Sequence, residues 1–216
     1  MARRVILTVG TKRGLFLLES GVGRKRWKVS GPFMKGWSVP YAFLDVRGAP
    51  TLHAGGSHFA FGASVQSAPL RTMKFKAAEK LPEFPKLNPK AAKFAKQYGI
   101  DASPKIWSIA PGPPKQKRVL YLGTAPAGLF RSEDKGKTWE PVNGINRHKT
   151  RKDWSPGAGG QCLHSIELDP HDPNRMYVAI SAAGAFRTDD GGAKWKPINS
   201  CVASYVGAPE QSEVFT

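Results

Sequence analysis

The stretch SEDKGKTW, Ser132 to Trp139, returns 56 residues later as TDDGGAKW, Thr188 to Trp195. Both copies fit Ser/Thr-x-Asp-x-Gly-x-x-Trp, and residues upstream repeat at the same offset: Tyr121 with Tyr177, Phe130 with Phe186, Arg131 with Arg187. Before each copy lie two short apolar runs separated by a Gly-containing turn. VLYLGT (119–124) and GLFRS precede the first; MYVAIS (176–181) and GAFRT precede the second. Their β-branched and aromatic content and alternation predict strands. A period of this size, with strands in each copy, predicts an all-β repeat protein built from small antiparallel sheets.

The phrase reads as the turn that joins the last two strands of each unit. Asp134 and Asp190 are expected to accept from backbone N–H groups two residues on, as Asx-turns do. Gly136 and Gly192 supply the positive φ of a tight hairpin. Trp139 and Trp195 open the next strand with a large apolar surface, and burying either is worth well over ~1 kcal/mol.

On these residues the chain resembles the Asp-box (BNR) repeats of sialidase-like and sortilin-like β-propellers. The resemblance implies four-stranded antiparallel blades, with the box joining the two outer strands away from the central site. Ser132, Asp134, Gly136, Trp139, Thr188, Asp190, Gly192 and Trp195 are then structural. Weaker copies lie upstream. VILTVGTKRGLFLLES (5–20) keeps the pattern, but Val22 and Arg24 stand at the Asp and Gly places. TLHAGG (51–56) and SVQSAP (64–69) form another copy, with Pro69 and Arg71 at those places. This makes about four blade-like units, the first incomplete, in one domain over 1–216 with a basic insertion at about 71–104. WSPGAGGQCLHSIELDPHDPNRMYVAISAAGAFRTDDGGAKWKPIN (154–199), VGTKRGLFLL and WKVSGPF resemble a bacterial subgroup described as BNR-repeat, glycosyl hydrolase-like proteins. Members of that subgroup usually have six or more blades. The chain is therefore a truncated product, a small four-bladed ring, or one that needs a second chain to close.

Lys and Arg number 33 against 16 Asp and Glu, a formal net charge of +17. Residues 71–118 hold 12 basic and 3 acidic side chains. Within them Asn88, Pro89 and Gly99 bracket a helix, with Ala91, Phe94, Ala95 and Tyr98 on one face and Lys90, Lys93 and Lys96 around it. Such a segment either contacts phosphate or an acidic partner, or is a solvated loop packing Phe94 and Tyr98 onto the propeller edge. There is no apolar run long enough to span a membrane and no h-region behind MARRVILTVG, so a cytoplasmic location is expected. Cys162 and Cys201 lack metal-site spacing, and Cys162 reads as a small core residue in the strand QCLHSIEL. DPHDPNR (169–175) lacks calcium-loop spacing and reads as a turn. Neither a metal nor a cofactor is expected.

Three segments read as innermost strands: PYAFLD (40–45), IWSIAP (106–111) and LHSIEL (163–168). Their register brings Tyr41, Trp107 or Ser108, and His164 or its neighbour toward the axis. The loop NGINRHKTRKDWSPGAGG (143–160) carries Arg147, His148, Lys149, Arg151 and Lys152 before Trp154. Arginine holds carboxylates or phosphates in a fork, tryptophan offers a stacking face, and the GAGG glycines let N–H groups approach an anion. The alternative is a basic loop in which Trp154 fills a seam between blades.

The leading expectation is a non-catalytic propeller that binds a protein or an acidic glycan through these loops, and that forms a homo-oligomer if the ring is incomplete. The resemblance keeps a sialidase-like glycoside hydrolase as an alternative. Its arginine, tyrosine/glutamate and acid/base residues have no matched set here. The carboxylates Asp45, Asp101, Asp153 and Glu167 form no pair at hydrolase spacing, and no catalytic residue is assigned. Nucleic-acid binding by the basic surface is the third class, with affinity falling steeply in salt.

Overall fold

A computed structural model describes residues 4–200. The expected strands form four antiparallel sheets in sequence order. The first has three strands, β1 (Arg4–Thr11), β2 (Gly14–Gly21) and β3 (Lys28–Phe33). Four strands make the second, β4 (Ser38–Asp45), β5 (Thr51–His58), β6 (Gly62–Pro69) and β7 (Lys76–Ala77). Helix α1 (Pro89–Gln97) follows. The third sheet is β8 (Lys105–Pro111), β9 (Leu120–Ala125), β10 (Gly128–Ser132) and β11 (Glu140–Pro141). After helix α2 (Asn143–Asn146), the last is β12 (Leu163–Leu168), β13 (Met176–Ile180), β14 (Gly184–Thr188) and β15 (Lys196–Pro197). These are the blades of a β-propeller. β1 matches the second strand of the other blades, so the first blade has no innermost strand among the described residues.

Each blade turns one face toward the blade before it and one toward the blade after it. Leu120 and Leu122 of β9 pack back on Val65 and Phe43 of the second blade. The opposite face, with Tyr121, Ala110 and Leu129, packs forward on Met176, Val178 and Phe186. Polar links cross the same seams: Thr8 Oγ1 donates to Ala42 C=O at 2.9 Å, and Ser108 Oγ donates to Leu163 C=O at 3.0 Å. Backbones approach so closely that a Cβ at Gly10 or Gly123 would collide with the carbonyl of Val39 or Leu163, and one at Gly55 with the side chain of Ile106. The glycine before the turn in each of the first three blades is thus a packing requirement. Arg47 is a further clamp between the second and third blades. It pairs with Asp45 at 2.7 Å and donates to the carbonyls of Gly112 and Val119.

The repeated phrase forms the expected turn, with Gly136 at φ 84° and Gly192 at φ 102°. Its hydrogen bonds differ from an Asx-turn. The buried Ser132 hydroxyl donates to Asp134 Oδ1 at 2.7 Å and accepts from Gly136 N–H at 2.8 Å. Asp134 then reaches three and four residues on, accepting from the N–H groups of Lys137 and Thr138 and from the Thr138 hydroxyl. Thr188, Asp190 and Gly192 repeat this arrangement, with Asp190 accepting from Lys194 N–H. The hydroxyl bridges the turn while the carboxylate holds the next loop, so both residue types are needed. Burial opposes ionisation of Asp134, but its hydrogen bonds from Thr138, Ser132 and Lys137 outweigh that and hold its pKa at about 2. Trp139 and Trp195 are buried, each just before a short outer strand. In the first blade Arg24, at the glycine place, still adopts positive φ, at 51°.

Helix α1 has the expected cap: Asn88 Oδ1 accepts from Ala91 N–H at 2.8 Å. Its apolar face divides, however. Ala91 and Ala95 are buried, whereas Phe94 and Tyr98 are exposed and pack on each other at 4.6 Å. The two rings therefore do not fasten the insertion to the propeller edge. Small alanines allow the helix axis to approach the body, which leaves no room beneath for the rings. Among the described residues no helix is long and apolar enough to cross a membrane. Cys162 is buried, 3.1 Å from Ser181 Oγ, and burial raises its thiol pKa. It lies just ahead of β12 rather than within it. Cys201 and the stretch that follows lie outside the described residues.

Candidate functional site

Every complete inner strand is irregular at one place. The pairing of β4 on β5 shifts between Ser38 and Tyr41, that of β8 on β9 between Ile106 and Ser108, and that of β12 on β13 between Leu163 and Ser165. The skipped residues of the last two are Trp107 and His164, which therefore occupy the same bulge. Bulges re-aim a side chain out of the sheet alternation. Of the expected alternatives, Tyr41 is in register with Ser108 and with Ser165, the neighbour of His164.

His164 is exposed, with Nδ1 2.9 Å from Ser165 Oγ, and Trp107 is half-buried. Burial, then the nearby Glu167 carboxylate, push the Tyr41 phenol above its ordinary value. That direction disfavours a phenolate nucleophile. Of the expected carboxylates, Asp45 is locked by Arg47 and Asp101 pairs with Lys105 at 2.6 Å. Glu167 and Asp153 are exposed. Among the described residues no group of three His, Cys, Asp or Glu side chains could hold a metal ion. In DPHDPNR the carboxylates turn on their own loop and on Arg175. Asp169 accepts from His171 and Asp172 N–H, and Arg175 pairs with Asp169, Asp172 and Asp189.

The loop 143–160 divides into an inner and an outer set. Trp154 is 1% exposed and packs on Phe186 with ring centroids 5.6 Å apart. Its Nε1–H donates to Thr150 Oγ1 at 3.0 Å, and the Arg151 guanidinium covers its ring at 5.0 Å. It is therefore not a stacking face for a ligand: it seals the joint between the third and fourth blades. Arg151 serves the same joint. Its Nη2 donates to Ala127 C=O at 2.8 Å, Nη1 is buried without a partner, and burial lowers its pKa. His148 is half-buried, bonded to Thr150 and edge-on to Phe186 at 5.3 Å. The GAGG segment closes on itself, with Gly160 N–H donating to Gly157 C=O at 2.9 Å.

What remains outside is basic. Arg147 and Lys152 are exposed, and Arg147 lines a cleft of about 430 Å³ with Lys80, Glu83, Glu140 and Asn146. Helix α1 is tied to this loop by Asn88 Nδ2, which donates to Trp154 C=O at 2.8 Å and to Arg151 C=O at 3.3 Å. The exposed Lys90, Lys93 and Lys96 and the Phe94–Tyr98 pair therefore sit on an element docked against the loop. In the sequence the helix and the loop read as separate, because the Asn88 bonds that join them span 63 and 66 residues. A second exposed aromatic group was also missed there. At the tip of the β5–β6 hairpin His58 stacks on Phe61 and packs at a tilt against Trp37 and Phe59, with Phe59 97% exposed. The signal was present in SHFAFG, whose phenylalanines break the polar composition of a turn.

No family model matches the chain. Among curated proteins it is 31% identical over 86 residues to a probable oligoxyloglucan-reducing end-specific xyloglucanase of Neosartorya fischeri, covering 39% of this chain and 10% of that protein. It is 33% identical over 82 residues to vacuolar protein sorting/targeting protein 10 of Colletotrichum graminicola, covering 38% of this chain and 4% of that protein. The chain thus spans a tenth or less of the length of these relatives. Among solved structures it resembles the GH74 xyloglucanase of Xanthomonas campestris, with TM-score 0.58, 15% identity, and 89% of this chain covered against 27% of that one. It also resembles YCF48 from Cyanidioschyzon merolae, with TM-score 0.54, 13% identity, and 88% of this chain covered against 52% of that one. These structural neighbours are β-propellers, and at such identities the likeness extends to the fold.

Proposed function

We propose that the chain is an Asp-box propeller acting as a non-catalytic binding module for an acidic partner, a protein segment or an acidic glycan. The observation that carries this reading is the docking of α1 on the loop 143–160. It puts the exposed Lys90, Lys93, Lys96 and Phe94–Tyr98 pair on an element docked against the loop that carries the exposed Arg147 and Lys152. Cations give long-range attraction, and aromatic rings give contact area at low entropic cost. An acidic peptide with apolar residues fits both features. The site residues Arg147, His148, Arg151, Trp154, His164, Trp107 and Tyr41 then take different parts. Arg147 contacts the ligand, the half-buried Arg151 and His148 and the buried Trp154 hold the loop that presents it, and Tyr41, Trp107 and His164 line the inner-strand end.

The test is binding of a fluorescent polyglutamate peptide and of heparin oligosaccharide to the chain and to a Lys93→Glu/Lys96→Glu/Arg147→Glu variant. At least a tenfold loss of affinity with an unchanged melting temperature is expected. Equal affinity in the two proteins refutes the reading. Duplex and single-stranded DNA are the controls, and a tighter, steeply salt-dependent affinity for either would favour nucleic acid instead. A glycoside hydrolase is the second reading, favoured by the identity to the N. fischeri protein. It requires turnover of a xyloglucan oligosaccharide or a fluorogenic sialoside above blank. Weighing against it are the Asp45–Arg47 and Asp101–Lys105 pairs and the raised Tyr41 pKa, which leave few free carboxylates and no activated phenol.

A further inference from the structure

Aromatic side chains crowd the turn between β5 and β6, where a hairpin needs none. Phe59 is 97% and Phe61 75% exposed. They stand on a base of His58 and Trp37. The His58 ring lies 4.8 Å from Phe61, 4.6 Å from Phe59 and 5.3 Å from Trp37, and Trp37 is 17° from parallel with Phe61. His58 Nδ1 accepts from Ala60 N–H at 3.1 Å, which fixes the ring within the turn. Trp37 is half-buried. Its ring and the Met34 side chain cover Gly56 of β5 so closely that a Cβ there would come within 3.3 Å of both. Packing at the base thus holds the two phenylalanines outward.

The tip is the end of a hairpin, not a sheet face of the kind that a neighbouring blade covers. Its surroundings are basic. Between Glu19 and Glu79 the one acidic residue is Asp45, which pairs with Arg47 at the far end of β4 from the tip. Lys35 is exposed two residues before Trp37. Lys12 and Arg13, also exposed, form the β1–β2 turn. That turn closes Thr11 on Gly14 as the tip closes His58 on Gly62, so both turns leave the same side of the propeller.

We propose that this side rests on an anionic lipid surface, with Phe59 and Phe61 entering the interface and Lys12, Arg13 and Lys35 facing the headgroups. Aromatic side chains favour the headgroup boundary, and each lysine or arginine near an anionic leaflet adds attraction. Such a contact lies on the bilayer and needs no spanning helix. A projecting tip also suits a fluid interface, which closes around it, whereas a protein must carry a matching pocket. A glycan fits less well, because sugars need hydrogen-bonding side chains beside the rings. From Ala54 to Val65 the polar side chains are Ser57, His58 and Ser64, of which Ser64 is buried and His58 Nδ1 already bonded. The surface shares no residue with the one proposed above, and the inference does not depend on that reading.

The test is sedimentation of the whole chain with phosphatidylcholine vesicles containing about one-third phosphatidylserine, and with phosphatidylcholine alone. The chain should bind the anionic vesicles and bind the neutral ones more weakly. Phe59→Ser/Phe61→Ser should lower the partition coefficient about tenfold or more, because both rings lose their transfer energy, with the melting temperature unchanged. Lys12→Glu/Lys35→Glu should weaken binding by a similar factor, most at low salt. In Phe59→Trp, the emission added to that of the wild type should be red-shifted in buffer and move to the blue with anionic vesicles. Added emission that is already blue and shielded from acrylamide without vesicles would mean that another part of the chain covers the tip, and overturns the proposal. Equal binding to neutral and anionic vesicles also overturns it. So does vesicle binding that survives Phe59→Ser/Phe61→Ser but is lost in Lys93→Glu/Lys96→Glu/Arg147→Glu, which would place the lipid on the other surface. A xyloglucan oligosaccharide that binds the wild type and not the Phe59→Ser/Phe61→Ser variant would assign the rings to a glycan instead.

Discussion

Replacing Trp154 by alanine separates a seam-filling role from a ligand-stacking one. The indole is 1% exposed, packs on Phe186, donates to Thr150 Oγ1, and lies beneath the Arg151 guanidinium. Removing a buried tryptophan of this kind costs about 3–5 kcal/mol, from lost transfer energy plus the cavity left behind. The collapse would also disturb the Trp154 carbonyl, which accepts from Asn88 and Gln161, so α1 would loosen with the loop. For a chain of 150–250 residues about 2–4 °C of melting temperature accompanies each kcal/mol, which gives a fall of roughly 6–20 °C. Trp154→Phe keeps most of the volume and leaves the Thr150 hydroxyl without its donor, for about 1–2 kcal/mol. Exposed Arg147→Ala should change stability by less than about 0.5 kcal/mol. Differential scanning calorimetry on the three variants, with near-ultraviolet circular dichroism as a packing control, provides the comparison. If Trp154→Ala melts within about 2 °C of the wild type, the seam argument is wrong and the indole must be free to meet a ligand.

Acid should destabilise the chain through His53. Burial first, with the Arg47 and Lys135 cations, holds the folded imidazole at about 4, below the usual 6.5, while Asp45 opposes. The unfolded chain takes up the proton first, so stability is fully present above pH 6.5 and falls as the pH drops toward 4, by about 3 kcal/mol. His53→Gln should flatten that part of the urea-midpoint profile, and an unchanged profile would contradict the assignment. Ser132→Ala strands the buried Gly136 N–H and should cost about 1–3 kcal/mol, whereas Ser132→Thr should be near neutral because Thr188 does the same work in the second copy. Equal losses for both variants would mean the hydroxyl is not what holds the turn. Gly123→Ala should destabilise by about 1–3 kcal/mol through its collision with Leu163 and Ser108, while Ala179→Gly should cost no more than about 1 kcal/mol. Similar urea midpoints for Gly123→Ala and the wild type would show that the third and fourth blades are less closely packed than described.

The part of the fold legible in the chain is the part that short-range chemistry encodes. The Ser/Thr-x-Asp-x-Gly-x-x-Trp phrase specifies a turn through groups within seven residues of one another, and its repetition specifies equivalent sheets. The strand runs before it follow from alternation, and the α1 cap from Asn88 and Pro89. Even the first blade's lack of an innermost strand among the described residues was legible, because VILTVGT aligns with second strands. The candidate site was harder to read, because burial depends on distant parts of the chain. Trp154 and Arg151 look like ligand-binding residues in a basic loop, but Phe186 and the Ala127 carbonyl, 32 and 24 residues away, take them into a seam. Phe94 and Tyr98 share a helical face with Ala91 and Ala95, yet only the alanines reach the body. The skipped residues Trp107 and His164 become equivalent only once each inner strand pairs with its neighbour. Tertiary structure alone decided which of the repeated faces are covered. Leu7 and Leu120 are equally apolar and occupy equivalent strand positions, and they differ in whether a described blade stands behind them.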